Sequence, residues 1–111
     1  MRRKQLEKKI EDDFVAYAES KGCEAKKLRI DGEDGFPDRT VLTPAGTFFI
    51  EFKRTKNDKP SAVQRRVHKW LRKLKYLVLV THDLDEAKQT LNDFLKPKND
   101  KEGSGGSHVL I

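Results

Sequence analysis

Asp38, Glu51 and Lys53 are the residues of this 111-residue chain whose types and spacing could do chemistry. The stretch Thr47 to Lys53 alternates Phe48, Ile50 and Phe52 with Phe49, Glu51 and Lys53, as a strand does when successive side chains point to opposite faces. An acid and a base therefore project from one face, two residues apart. A second short strand, Arg39 to Leu42, precedes it across the turn Thr43-Pro44-Ala45-Gly46, and so brief a connection predicts an antiparallel hairpin. Asp38 and Glu51 then sit on neighbouring strands. Hard divalent cations such as Mg²⁺ or Mn²⁺ typically use a few carboxylates plus water and substrate phosphate, and these two acids could supply that minimum. Carboxylates gathered on a basic protein would repel phosphate unless a cation bridged them, and Lys53 would then face the phosphate or the attacking water. Each residue has a plainer alternative. Asp38 can initiate a strand after the Pro37 turn, and Glu51 with Lys53 can be a solvent-facing pair on a half-buried sheet.

The charge points the same way. Residues 52 to 76 hold ten Lys or Arg (Lys53, Arg54, Lys56, Lys59, Arg65, Arg66, Lys69, Arg72, Lys73 and Lys75) against Asp58 alone, so the window carries +9. With a net charge of +6 for the whole chain, the remainder carries −3. A basic segment on a slightly acidic body suits a phosphate backbone, the source of most non-specific nucleic-acid affinity. A solvated helix face is the alternative. With 35% hydrophobic and 38% charged residues, a small core wrapped in ionic side chains is expected. The lone Cys23 excludes a disulfide scaffold and a Cys-based zinc finger. No apolar run approaches the roughly 20 residues that span a bilayer, and Met1 to Lys9 has no apolar stretch of the secretory kind, so a soluble, intracellular protein is expected.

The elements that must position these residues follow from periodicity. Residues 5–21 place Leu6, Ile10, Phe14, Tyr17 and Ala18 at helical spacing, and Gly22 ends that helix. Leu28 and Ile30 suggest a strand over 26–30. A helix over 62–74 carries the apolar set Val63, Val67, Trp70, Leu71 and Leu74, with Trp70 expected in the core rather than as a stacking platform for bases. Tyr76 to Val80 reads as a buried strand. Asp83 to Leu95 forms a last helix, with Asp83 and Glu86 at capping-box spacing and Leu84, Ala87, Leu91 and Phe94 inward. The order αβββαβα predicts an α/β fold, a mixed sheet flanked by helices. Residues 1–95 form the domain and 96–111 read as a flexible tail, ending in the apolar Val109-Leu110-Ile111.

Gly35-Phe36-Pro37-Asp38, then Ile50-Glu51-Phe52-Lys53, then Ser61 and Gln64 opening a helix, together resemble the virus-type replication-repair nuclease (VRR-NUC) domain of the PD-(D/E)XK nuclease superfamily. The resemblance runs from the first helix to the last and implies a restriction-endonuclease-like fold. It implies that Asp38 and Glu51 hold Mg²⁺ or Mn²⁺ with an acid of the first helix, Glu11, or Glu7 one turn earlier. It adds the carbonyl of Phe52 as a further ligand, Lys53 as the lysine of the Glu-x-Lys strand that would orient or deprotonate the nucleophile, and Gln64 as a glutamine near the metal. Ser61 and Gln64 also stand at capping-box spacing, a rival role for Gln64. The chain departs from the family pattern in having Lys59-Pro60-Ser61-Ala62-Val63-Gln64 where Leu-Ser-Pro-x-Gln is usual, and Lys75 where a glycine often follows the helix.

The function expected is a metal-dependent DNA endonuclease hydrolysing a phosphodiester bond. Arg54, Lys56, Lys59, Arg65, Arg66, Lys69, Arg72 and Lys73 would grip the backbone, with His68, one turn from Gln64, also placed to touch DNA. No base-reading element stands out, so selectivity for DNA structure is expected over selectivity for sequence. Stand-alone members of the family resemble resolvases of four-way (Holliday) junctions, which implies a homodimer of bacterial or phage origin making paired cuts. The rivals are a non-catalytic DNA-binding module that kept the fold, a flap or duplex nuclease, and a small restriction-type nuclease.

Overall fold

The structure, a computed structural model, describes residues 3–97, with side chains from Leu6 onward; the expected tail beyond Pro97, including Val109 to Ile111, lies outside the described residues. Seven elements follow in order: α1 (Arg3–Ser20), β1 (Glu24–Lys26), β2 (Arg39–Thr43), β3 (Gly46–Phe52), α2 (Ala62–Lys73), β4 (Val78–Thr81) and α3 (Leu84–Leu95). The strands form one sheet in the order β1-β2-β3-β4, antiparallel across the first two pairs and parallel between β3 and β4. The parallel pair follows from chain connectivity, because α2 carries the chain back across the sheet before β4 begins. The expected mixed sheet flanked by helices is thus what forms.

The two faces of β3 are covered by different helices. Phe48, Ile50 and Phe52 pack with Phe14 and Ala18 of α1 and Ala87 and Leu91 of α3. Aromatic contacts anchor this layer, Phe14 against Phe52 at 5.8 Å and Phe48 against Phe94 at 4.9 Å. Tyr17 Oη donates to Asn92 Oδ1 at 2.8 Å and ties α1 to α3. On the opposite face Phe49 packs with Val67 and Leu71 of α2 and Val78 of β4. The alternation read from the sequence holds, yet both faces of β3 are buried from Phe48 to Phe52.

Three local expectations are corrected. The first strand is Glu24–Lys26, not 26–30, and Leu28 and Ile30 are exposed. The reason is packing: after the left-handed Gly22 the chain turns at once, Cys23 N donates to Ala18 O, and the small Cys23 and Ala25 are the residues that fit beneath α1. The strand expected at Tyr76 begins only at Val78. Lys75 adopts φ +76°, its N–H donates to Arg72 O, and the N–H of Tyr76 donates to Leu71 O, so the chain is still capping α2 in a Schellman motif there. Finally, Trp70 is 46% exposed, and Val63 and Leu74 are exposed with it. The helix buries only the narrow stripe that meets Phe49, and its apolar set is wider than that contact.

Candidate active site

The acids gather where β3 ends. Asp38 follows Pro37 out of the loop that precedes β2, and its Oδ2 accepts a 2.7 Å hydrogen bond from the Phe52 backbone N–H. The register pairs Arg39 with Ile50, which sets the Asp38 position opposite Glu51 one step further along. Glu51 is 5% exposed, an unusual position for a carboxylate. Its Oε2 accepts from Gln64 Nε2 at 2.8 Å. Burial and the neighbouring Glu51 charge push the Asp38 carboxyl up to about 7, with smaller contributions from Glu11 and Glu7, against the Phe52 N–H that favours the charged form. Glu7 is also raised, by burial and then by Glu51, while Arg54 acts in the opposite sense. Four carboxylates from α1, the Pro37 loop and β3 thus share one field.

Gln64 makes the capping box and also reaches Glu51. Ser61 caps α2, its Oγ accepting from Gln64 N at 3.1 Å, while Gln64 Oε1 accepts from Ser61 N at 2.8 Å. With its oxygen committed to the cap, the amide NH₂ is left to face Glu51. Gly35 makes this approach possible. At φ +85° a Cβ there would meet Val63 Cγ1 at 2.7 Å and Gln64 N at 3.0 Å, so the loop carrying Asp38 packs onto the start of α2 only with glycine.

A cavity of about 240 Å³ opens beside these groups, lined by Glu7, Glu51, Phe52, Lys53 and Gln64 and walled by the loop from Arg54 to Pro60. Arg54 Nε donates to Asp58 Oδ2 at 2.9 Å, which closes that loop on itself and holds the Asp58 carboxyl below its ordinary value. Lys53 is half-buried and lines the cavity, its Nζ 3.4 Å from the Lys56 carbonyl.

The first-helix acid is where the geometry parts from the first choice made on sequence. Glu11 Oε2 accepts from Arg39 Nε at 2.7 Å, and the same guanidinium donates through Nη1 to Ala25 O at 3.0 Å. Glu11 is therefore engaged in holding α1 against β1 and β2. Glu7, one turn earlier, lines the cavity. Arg39 carried no signal of its own, since a basic residue opening a strand is ordinary.

His68 differs from its expected place at a DNA surface: it is 2% exposed, with Nε2 3.9 Å from Glu51 Oε1. Among the basic residues, Arg66, Lys69 and Lys73 are exposed on α2, and Lys56 and Lys59 are exposed on the loop. Arg65 donates to Pro60 O at 2.6 Å and Arg72 to Val78 O at 2.7 Å, so both also brace the backbone. Among the described residues, no three acid, imidazole or thiol side chains converge closely enough to ligate one ion as they stand. The donor set still suits a hard cation. Asp38 and Glu51 are carboxylates, Glu51 Oε1 is buried without a hydrogen-bond partner, and such an ion needs only one or two carboxylates besides water and phosphate.

A buried Glu51, a half-buried Asp38 opposite it and a glutamine from the crossover helix thus stand together on a mixed sheet, and the fold that carries them is that of a nuclease domain. The chain is similar to a solved structure described as a VRR_NUC domain, with 28% sequence identity and a TM-score of 0.72, covering 78% of this chain and 95% of that one. The resemblance carried by Gly35 to Asp38 and Ile50 to Lys53 is borne out at the level of the whole fold. No protein-family model matches the chain, and no curated protein does.

Proposed function

We propose that this domain is a metal-dependent DNA endonuclease that selects its substrate by structure and works as a homodimer on four-way junctions. The observation that carries the reading is the placement of Glu51 and Lys53 in one cavity, with Asp38 at the end of the loop that enters the adjoining strand and a basic helix and loop around it. Asp38 and Glu51 would hold Mg²⁺ or Mn²⁺, with the Phe52 carbonyl and Glu7 in preference to Glu11. Bound there, the cation would lower the pKa of water and offset charge on the phosphate. Lys53 orients the attacking water, receives or relays its proton, and balances the charge that builds in the transition state. Gln64 keeps the Glu51 carboxylate in one orientation. Arg66, Lys69 and Lys73 on α2, with Lys56 and Lys59 on the loop, hold backbone phosphates without reading bases.

One chain offers one such site, and a four-way junction has two symmetry-related strands to cut. A twofold pair would match that symmetry. The test is cleavage of duplex, flap and four-way-junction DNA with Mg²⁺, Mn²⁺ or EDTA. Paired nicks in the junction that EDTA abolishes are the expected result. Tight binding without cleavage under any metal would leave a DNA-binding module, and a monomer on DNA by light scattering would leave a flap or single-nick nuclease.

A further inference from the structure

Beside the acids lies a buried side chain, His68, that has no part in the reading above. Glu51 Oε1 and His68 Nε2 face each other at 3.9 Å, and neither has a hydrogen-bond partner among the described residues. Leaving a buried donor or acceptor unsatisfied costs about 1–3 kcal/mol, so an apolar residue would serve better if this position of α2 only packed against the sheet. Val67 and Leu71 on either side do pack in that way. Gln64 and His68 are four residues apart and share a helix face. Gln64 Nε2 already donates to the other oxygen of the same carboxylate. One face of α2 thus sets two nitrogen groups over the two oxygens of Glu51. Bringing 3.9 Å to hydrogen-bond length takes a side-chain shift of about 1 Å.

We propose that His68 is a positioning residue, whose Nε2–H donates to Glu51 Oε1 and, with Gln64, fixes the plane of that carboxylate for a divalent cation. The inference rests on the metal-dependent reading of the site. A carboxylate oxygen has two lone pairs, so accepting from His68 leaves Oε1 able to take a cation as well. Groups that hydrogen-bond a metal ligand commonly change metal affinity by about 10–100-fold. Clamping from one helix also explains why a histidine occupies a site closed to DNA.

Calorimetric titration of the full chain with Mn²⁺ tests the inference on wild type, Glu51→Ala, His68→Leu and His68→Gln. The wild type binds and Glu51→Ala does not. His68→Leu binds about tenfold or more weakly, and His68→Gln, which keeps an N–H donor, recovers most of the loss. A purely structural role would make leucine at least as good as glutamine in this buried position. Wild-type affinity in His68→Leu, with binding lost in Glu51→Ala, overturns the inference alone. A wild type that takes up no Mn²⁺, or a Glu51→Ala that keeps it, overturns the nuclease reading and the inference together. Nitrogen NMR of the imidazole in the unsubstituted protein does not depend on any variant folding. It should find the proton on Nε2, and a bare Nε2 with the proton on Nδ1 would overturn the proposal.

Discussion

The two faces of β3 are built from alternate residues of the same seven-residue strand and do different work. One face carries Phe48, Ile50 and Phe52 and is sealed under α1 and α3. The other starts apolar, with Phe49 against Val67 and Leu71, and turns polar at its end, with Glu51 against Gln64 and His68. The sealed face gives rigidity, and the second uses it. A carboxylate at 5% exposure keeps a fixed place only because the strand that bears it is pinned from behind by three buried side chains. The candidate site lies where the apolar cover of one face of β3 runs out.

Substitutions on the two faces should separate stability from activity. Phe52→Ala on the sealed face should destabilise by about 3–5 kcal/mol, read as a lower denaturant midpoint, and any loss of cleavage should track unfolding. Lys53→Ala, one residue on, should leave the midpoint nearly unchanged and DNA binding nearly intact while cleavage falls about 10²–10³-fold, a loss typical of removing a group that acts in the transition state. A folded Lys53→Ala with normal turnover would break the contrast.

Glu7 and Glu11 of α1 sharpen it further. Glu7→Gln should lower cleavage and Mn²⁺ affinity with little change in stability, because Glu7 lines the cavity. Glu11→Gln should instead cost about 1–3 kcal/mol of stability, because Arg39, mostly buried, loses its charged partner. The reverse pattern, measured by thermal melts and titration side by side, would return the role to Glu11.

The acid cluster should also make metal-free protein sensitive to pH. Asp38 is pushed up to about 7 from an ordinary value near 3.8, so the folded state holds its proton more tightly than the unfolded chain does. Its contribution is fully present below about pH 4 and is lost as pH rises through 7. Asp38→Asn should therefore be more stable than wild type at pH 8 without metal, by about 1–2 kcal/mol once solvent access to this half-buried carboxyl is allowed for. It should also lose cleavage. Equal melting temperatures at pH 8 would show that the crowding is relieved in another way.

Smallest is the effect expected far from the cavity. Lys75 stands at φ +76° in the cap of α2, where a glycine is unstrained, so Lys75→Gly should stabilise by about 1 kcal/mol without altering cleavage.

Local periodicity and short connections are enough to place β2 and β3, the alternation along β3, the helix that follows and the pairing of the hairpin. Asp38, Glu51 and Lys53 could be singled out for that reason, each within or beside a regular element, whereas Gln64 was singled out by the family resemblance and by its capping-box spacing. Tertiary packing decided what periodicity cannot express. Glu7 and Glu11 share a helix face one turn apart, and only the position of Arg39 on β2 shows which of them is engaged elsewhere. Trp70 and His68 both looked interpretable on helical spacing, and their expected places were exchanged. The physical reason is that a helix wheel gives the direction of a side chain relative to its own axis, whereas burial depends on how wide a stripe the neighbouring sheet covers. Here the sheet covers Val67, His68 and Leu71 and leaves Trp70 outside, which puts the histidine behind the carboxylate and the tryptophan in water.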